Sequence, residues 1–167
     1  MKVVTATTII DDLDEFLAEI EAISEATGAT IQCFDATYVA SERHLRRAVE
    51  LAARAREQGT AVADDPAVEI LLYAAGRRQI NHALDMGVSE GEGSVVGVVT
   101  GGDEATAEGQ LRELLGATAA DDNDRVEFGD EDTLRAFFDI GDAEIAVVDG
   151  NLESLVLERV ALLDVEK

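Results

Sequence analysis

The sequence predicts an α/β (α+β) fold in a single domain over residues 1–167, a small mixed sheet flanked by several helices. Three observations predict it. Apolar, β-branched runs such as VVTATTII (3–10) and SVVGVVT (94–100) alternate with stretches whose apolar residues recur every three or four positions. An apolar content of 47% in 167 residues is enough for one core. No internal repeat, linker or low-complexity tail divides the chain.

Taken in order, residues 3–10 form a strand, and Asp11 or Asp12 caps a helix that buries Leu13, Phe16, Leu17, Ile20 and Ile23 and closes at Gly28. ATIQCF, 29–34, is a second strand. Ser41 caps a helix over 42–58 that ends before Gly59, with Leu45, Ala48, Val49 and Ala52 as its apolar stripe. Asp64-Asp65-Pro66 opens another helix, burying Val68, Leu71, Leu72 and Ala75. Gly76 predicts a break, since glycine is costly in mid-helix and well suited to a left-handed cap. A short helix over 78–86 then ends at Gly87. Residues 94–100 are a buried strand, 103–115 a helix, AADDND an acidic loop, RVEF a short strand and 131–139 a helix. AEIAVV, 143–148, fits helix or strand. Asn151 caps a last helix, LESLVLERV, ahead of a terminal strand ALLDV.

Charge is the strongest compositional signal. Thirty-six acids against 13 cations give a net −23, and only Lys2 and Lys167 among the cations are lysines. This pattern suits a salt-rich cytoplasm, where acidic surfaces keep a protein apart from its neighbours although the Debye length falls to about 3 Å at 1 M salt. The apolar fraction is too high for disorder. No apolar run approaches the length of a membrane span, and the N-terminus lacks the basic and apolar regions of a signal peptide. A cytoplasmic protein is expected, with its one cysteine, Cys33, packed as a small hydrophobe.

The sequence lacks GxxxxGK[ST], GxSxG and HExxH, and GEGSVVG fails the dinucleotide fingerprint. DDND, 121–124, lacks the spaced ligands of a calcium loop. No cofactor and no metal site is expected, and no enzyme activity. What stands out is a basic island. From Arg43 to His82 there are seven arginines and five acids, while the rest of the chain holds six cations and 31 acids. Arginine forks match phosphate oxygens and stack on bases, and glutamine, asparagine and histidine bond base edges, so GRRQINH (76–82) suits a short unpaired RNA strand. A solvated helix face is the plain alternative. A small-molecule site around His44 and His82 is the other functional one.

FDATYVASERHLRRAVELA and AVEILLYAAGRRQINHALDMGV, with the closing LVLERVALLDVEK, resemble the CGI-type accessory subunits of the KEOPS complex, the family of the human PRPK-binding protein. Glu69, Ile70, Leu71, Ala74, Gly76, Arg78, Gln79, Ile80 and Ala83 carry the most specific part, and the acidic composition suggests a haloarchaeal member. The resemblance implies a non-catalytic subunit that binds and stimulates a kinase-like ATPase. Through it the chain would meet the other KEOPS subunits, which make threonylcarbamoyladenosine (t6A) in tRNA. It also implies recruitment of tRNA by its 3′ CCA end. Arg78 and Gln79 would then contact tRNA, with Arg77, His82, Arg43, His44 and Arg47 extending the surface. Leu152, Leu155 and Val156 of the C-terminal helix would meet the ATPase, with part of that apolar face exposed in the isolated chain.

Overall fold

The β-branched runs meet in one sheet. The computed structural model describes residues 1–117 and 126–166. Its strands are β1 (Lys2–Ile10), β2 (Thr30–Asp35) and β3 (Gly91–Thr100), in the order β1-β3-β2. Both outer strands run antiparallel to β3, so the fold is α+β and its sheet is antiparallel rather than mixed. The helices among the described residues are α1 (Leu13–Thr27), α2 (Glu42–Gln58), α3 (Pro66–Ala75), α4 (Ile80–Ala83), α5 (Glu104–Leu115), α6 (Glu131–Phe137), α7 (Asp142–Val147) and α8 (Leu152–Glu166). Contacts divide the chain into two compact units, Met1–Ala36 with Gly87–Glu127, and Thr37–Met86 with Phe128–Lys167.

The first unit holds the sheet. Val4, Ile31, Val95 and Val99 share a core with Phe16 and Ile20 of α1 and Leu111 and Leu115 of α5. Gly97 makes this packing feasible: a Cβ there would lie 2.8 Å from Leu111 Cδ2 and 3.3 Å from Cys33 Sγ. Cys33 is buried, and burial pushes its thiol up to about 12, so it packs as a hydrophobe. Asp12 caps α1 by accepting from the Glu15 N–H at 3.2 Å, and Gly28 ends it at φ +73°.

The second unit is helical. Ser41 caps α2 by accepting from the His44 N–H at 3.2 Å, and Gly59 closes it. Leu45, Ala48, Val49 and Ala52 are buried, as are Leu51 and Ala55. Helix α3 is buried all round from Glu69 to Ala75, as a helix without a solvent face must be. Glu69 is fully buried yet satisfied, accepting from the Val62 and Ala63 N–H groups at 3.2 and 2.7 Å. The Tyr73 hydroxyl donates to Asp164 at 2.7 Å, and Arg54 reaches the other Asp164 oxygen at 2.7 Å, tying α2 and α3 to α8.

Several boundaries differ from those expected. ALLDV continues α8 instead of forming a strand, because Val156, Val160 and Leu163 fall on one helical line and are all buried. Val126–Phe128 of RVEF form no strand, since they run directly into Gly129 at φ +75° and the Asp130 cap of α6. AEIAVV resolves as helix α7. The helix expected over 78–86 is a single α-turn followed by a 3-10 turn at Leu84–Met86. DDND lies outside the described residues.

Candidate nucleic-acid interface and partner surface

The break at Gly76 builds the site. Gly76 sits at φ +62°, its N–H bonds to Tyr73 O at 3.1 Å, and the Arg77 N–H reaches back to Leu72 O at 3.0 Å. This paired C-terminal motif turns the chain sharply out of α3. The Gly76 Cα also packs against α8, where an added Cβ would meet Arg159 O at 3.1 Å. From the turn, Arg77 folds inward: its guanidinium lies over the Phe137 ring, 5.2 Å from the centroid, and donates to Phe137 O. Arg78, Gln79, Asn81 and His82 are exposed.

Between these polar groups stand Ile80 and Leu84, 48% and 58% exposed and one helical turn apart. They are the feature that sequence reasoning passed over. Their signal in the sequence is two large aliphatic residues four apart in the segment INHAL, a spacing that marks a shared face without telling whether it is buried or exposed. Charged, hydrogen-bonding and aliphatic groups thus share one short surface, a combination suited to phosphate, base edges and base planes. Helix α4 is one turn long and has Gln79 at its N-cap with no side-chain cap bond, so a helix dipole adds little there to the charge of the arginines.

The α2 part of the basic island is organised differently. Arg43 pairs with Glu153 at 3.0 Å and Arg54 with Asp164 at 2.7 Å, both acids lying on α8. Arg46 and Arg47 pair within their own helix, with Glu42 at 3.1 Å and Glu50 at 3.3 Å. Arg56 donates to Asp64 O at 2.8 Å. Much of the island therefore neutralises acids that the fold brings alongside it. Arg43, Arg46 and Arg47 nevertheless remain exposed, and with Glu50 and Leu157 they line an open groove of about 280 Å³. Exposed pairs of this kind are worth about 0.2–1 kcal/mol, so a polyanion can displace the carboxylates.

Two expectations about individual residues are corrected by burial. His44 is 0% exposed, because α2 turns it inward against α3, and it can touch neither RNA nor a small molecule from there. Its Nδ1 accepts from the Ala40 N–H at 3.1 Å, which leaves Nε2 to carry the proton and donate to Ala74 O at 2.7 Å. Desolvation lowers its pKa to about 4, so it is neutral at pH 7. This removes the pairing of His44 with His82 on which a catalytic or ligand-binding reading depended. Leu155 and Val156 are 4% and 0% exposed and belong to the core of their unit, because they share the inward line of α8 with Val160 and Leu163. Leu152 is half-buried, and the outward side of α8 carries Leu157 in the groove with Leu162 and Val165 exposed.

Among the described residues no group of three or more histidine, cysteine, aspartate or glutamate side chains could hold a metal ion. No helix among them is long and apolar enough to cross a membrane. No curated protein sequence matches the chain. The family model described as kinase binding protein CGI-121 matches residues 5–164, which takes in both units, the turn at Gly76 and nearly all of α8. On that match the chain belongs to the CGI-121 family of kinase binding proteins.

Proposed function

We propose that this chain is a non-catalytic, cytoplasmic subunit of the KEOPS complex, which installs threonylcarbamoyladenosine in tRNA. In this reading it binds and stimulates the kinase-like ATPase subunit, reaches the other subunits through it, and helps recruit tRNA by its unpaired 3′ CCA end. One observation carries the reading: the kinase-binding family match spans residues 5–164, including the segment Arg78–Leu84 whose surface mixes charge, hydrogen-bonding groups and aliphatic side chains. Arg78, Gln79 and His82 contact the RNA, and Arg43 and Arg47 extend the basic surface along α2. Arg77 supports the turn from beneath. The ATPase meets the accessible surface of α8, through half-buried Leu152 at the start of its inward line together with Leu157 and Leu162. Leu155 and Val156 support that surface from the core.

The test is purification of the tagged full chain from its native cells in molar salt, with identification of bound proteins and RNA. Recovery of a kinase-like ATPase near one-to-one, with tRNA retained, supports the reading. Recovery of the chain with tRNA and no kinase, or with kinase and no tRNA in any complex, overturns the corresponding half.

A further inference from the structure

His44 lies beneath the surface that this reading uses, and it connects three segments of its unit. Its Nδ1 holds the Ala40 N–H at the entrance to α2, and its Nε2–H holds Ala74 O two residues before the Gly76 turn. Its ring meets Phe138 edge-on at 5.8 Å. Phe138 in turn packs on Phe137 at 5.0 Å, and Phe137 carries the Arg77 guanidinium. Two routes therefore run from His44 to the turn, one through the last carbonyls of α3 and one through the aromatic pair.

We infer that His44 is a positioning residue whose neutral Nε2–H tautomer sets the Gly76–Leu84 turn and so aims Arg78, Gln79 and His82. The inference rests on the RNA reading only for the use made of the turn, because the geometry of the turn is measurable without any ligand. A proton added at Nδ1 would set one donor against the Ala40 N–H, and the ring would have to leave its slot, releasing Ala74 O. Among charged groups, Glu153 of α8 acts on the ring, and it is itself held by Arg43 at 3.0 Å. Its pull opposes the desolvation that keeps the ring neutral.

The test is hydrogen exchange on the full chain in molar salt, in a His82→Gln background that removes the exposed histidine. With the ring titrating at about 4 when seated and 6.5 when released, protection of Gly76–Leu84 should fall roughly thirtyfold from pH 7.5 to pH 5. His44→Gln keeps a donor that reaches Ala74 O and does not titrate, so its protection should stay near the parent value and be flat across that range. His44→Asn keeps the acceptor for Ala40 but falls short of Ala74, and should lose about tenfold protection in this segment at pH 7.5. A protection profile flat in the parent, or an equal loss along the whole chain in both variants, would show that His44 only fills space. If His44→Asn fails to fold, the parent and His44→Gln profiles still decide between these outcomes. No RNA or partner enters the measurement, so failure of the RNA reading leaves this result standing and the reverse.

Discussion

At the scale of single residues, backbone conformation and protonation separate structural roles from exposed ones. Gly76→Ala places a Cβ at φ +62° and 3.1 Å from Arg159 O, so it should destabilise the chain by about 1–2 kcal/mol. A denaturant melt in molar salt measures it, and an unchanged midpoint would mean that α3 accommodates a different ending. His44 adds stability that depends on pH. Its folded pKa is lowered to about 4 from 6.5, so its contribution is complete above 6.5 and is lost as pH falls towards 4. Relative to His44→Gln the parent should lose up to roughly 3 kcal/mol across that window. Caps were legible in the chain because each is a local rule. Asp12, Ser41, Asp65, Gly28, Gly59 and Gly76 all stand where capping chemistry places them. The burial of His44 was not legible, since the positions of Ala40 and Ala74 around the ring come from the packing of α2 on α3. Nor was the pairing of Arg43 and Arg54 with Glu153 and Asp164, acids 110 residues further along the chain.

At the scale of elements, α8 shows where periodicity loses its force. It carries leucine and valine on every side, so its sequence does not mark an inner face, and its last third reads as well as strand as helix. Packing supplies the distinction: Leu155, Val156, Val160 and Leu163 are buried, while Leu162 and Val165 are 39% and 79% exposed. Leu155→Ala should therefore cost about 2–5 kcal/mol in unfolding free energy. Leu162→Arg should stay within about 0.5 kcal/mol of the parent, as surface changes do. Pull-down of the kinase-like ATPase beside the melts separates the two roles. Folded Leu157→Arg and Leu162→Arg proteins that still bind at full strength would remove α8 from the docking surface. Helix α3 posed the same difficulty. Only half of its apolar residues looked inward by spacing, and all from Glu69 to Ala75 proved buried.

At the scale of the whole molecule, charge is distributed with a clear asymmetry. Residues 37–86 hold seven arginines and seven acids and are neutral, so the remaining residues carry the entire −23. Raising salt from about 0.1 M to 2 M should raise the melting midpoint, because screening relieves the self-repulsion of the acidic remainder. A midpoint that falls with added salt would contradict the salt-adapted reading of the composition. The same asymmetry bears on the proposed RNA contact, because an acidic remainder opposes a polyanion more strongly than a neutral segment does. Paired titrations of intact tRNA and tRNA lacking its CCA end test this most directly, comparing the parent with Arg78→Glu and Arg112→Glu. Arg112, paired with Glu108 at 3.3 Å on α5, lies in the acidic remainder. Arg78→Glu should weaken binding of intact tRNA well beyond Arg112→Glu and reduce the salt slope by roughly 0.7–0.9, and removal of the CCA end should abolish the difference. Equal binding by the two variants, or binding indifferent to the CCA end, would contradict the assignment of Arg78–Leu84 as the RNA-contacting surface.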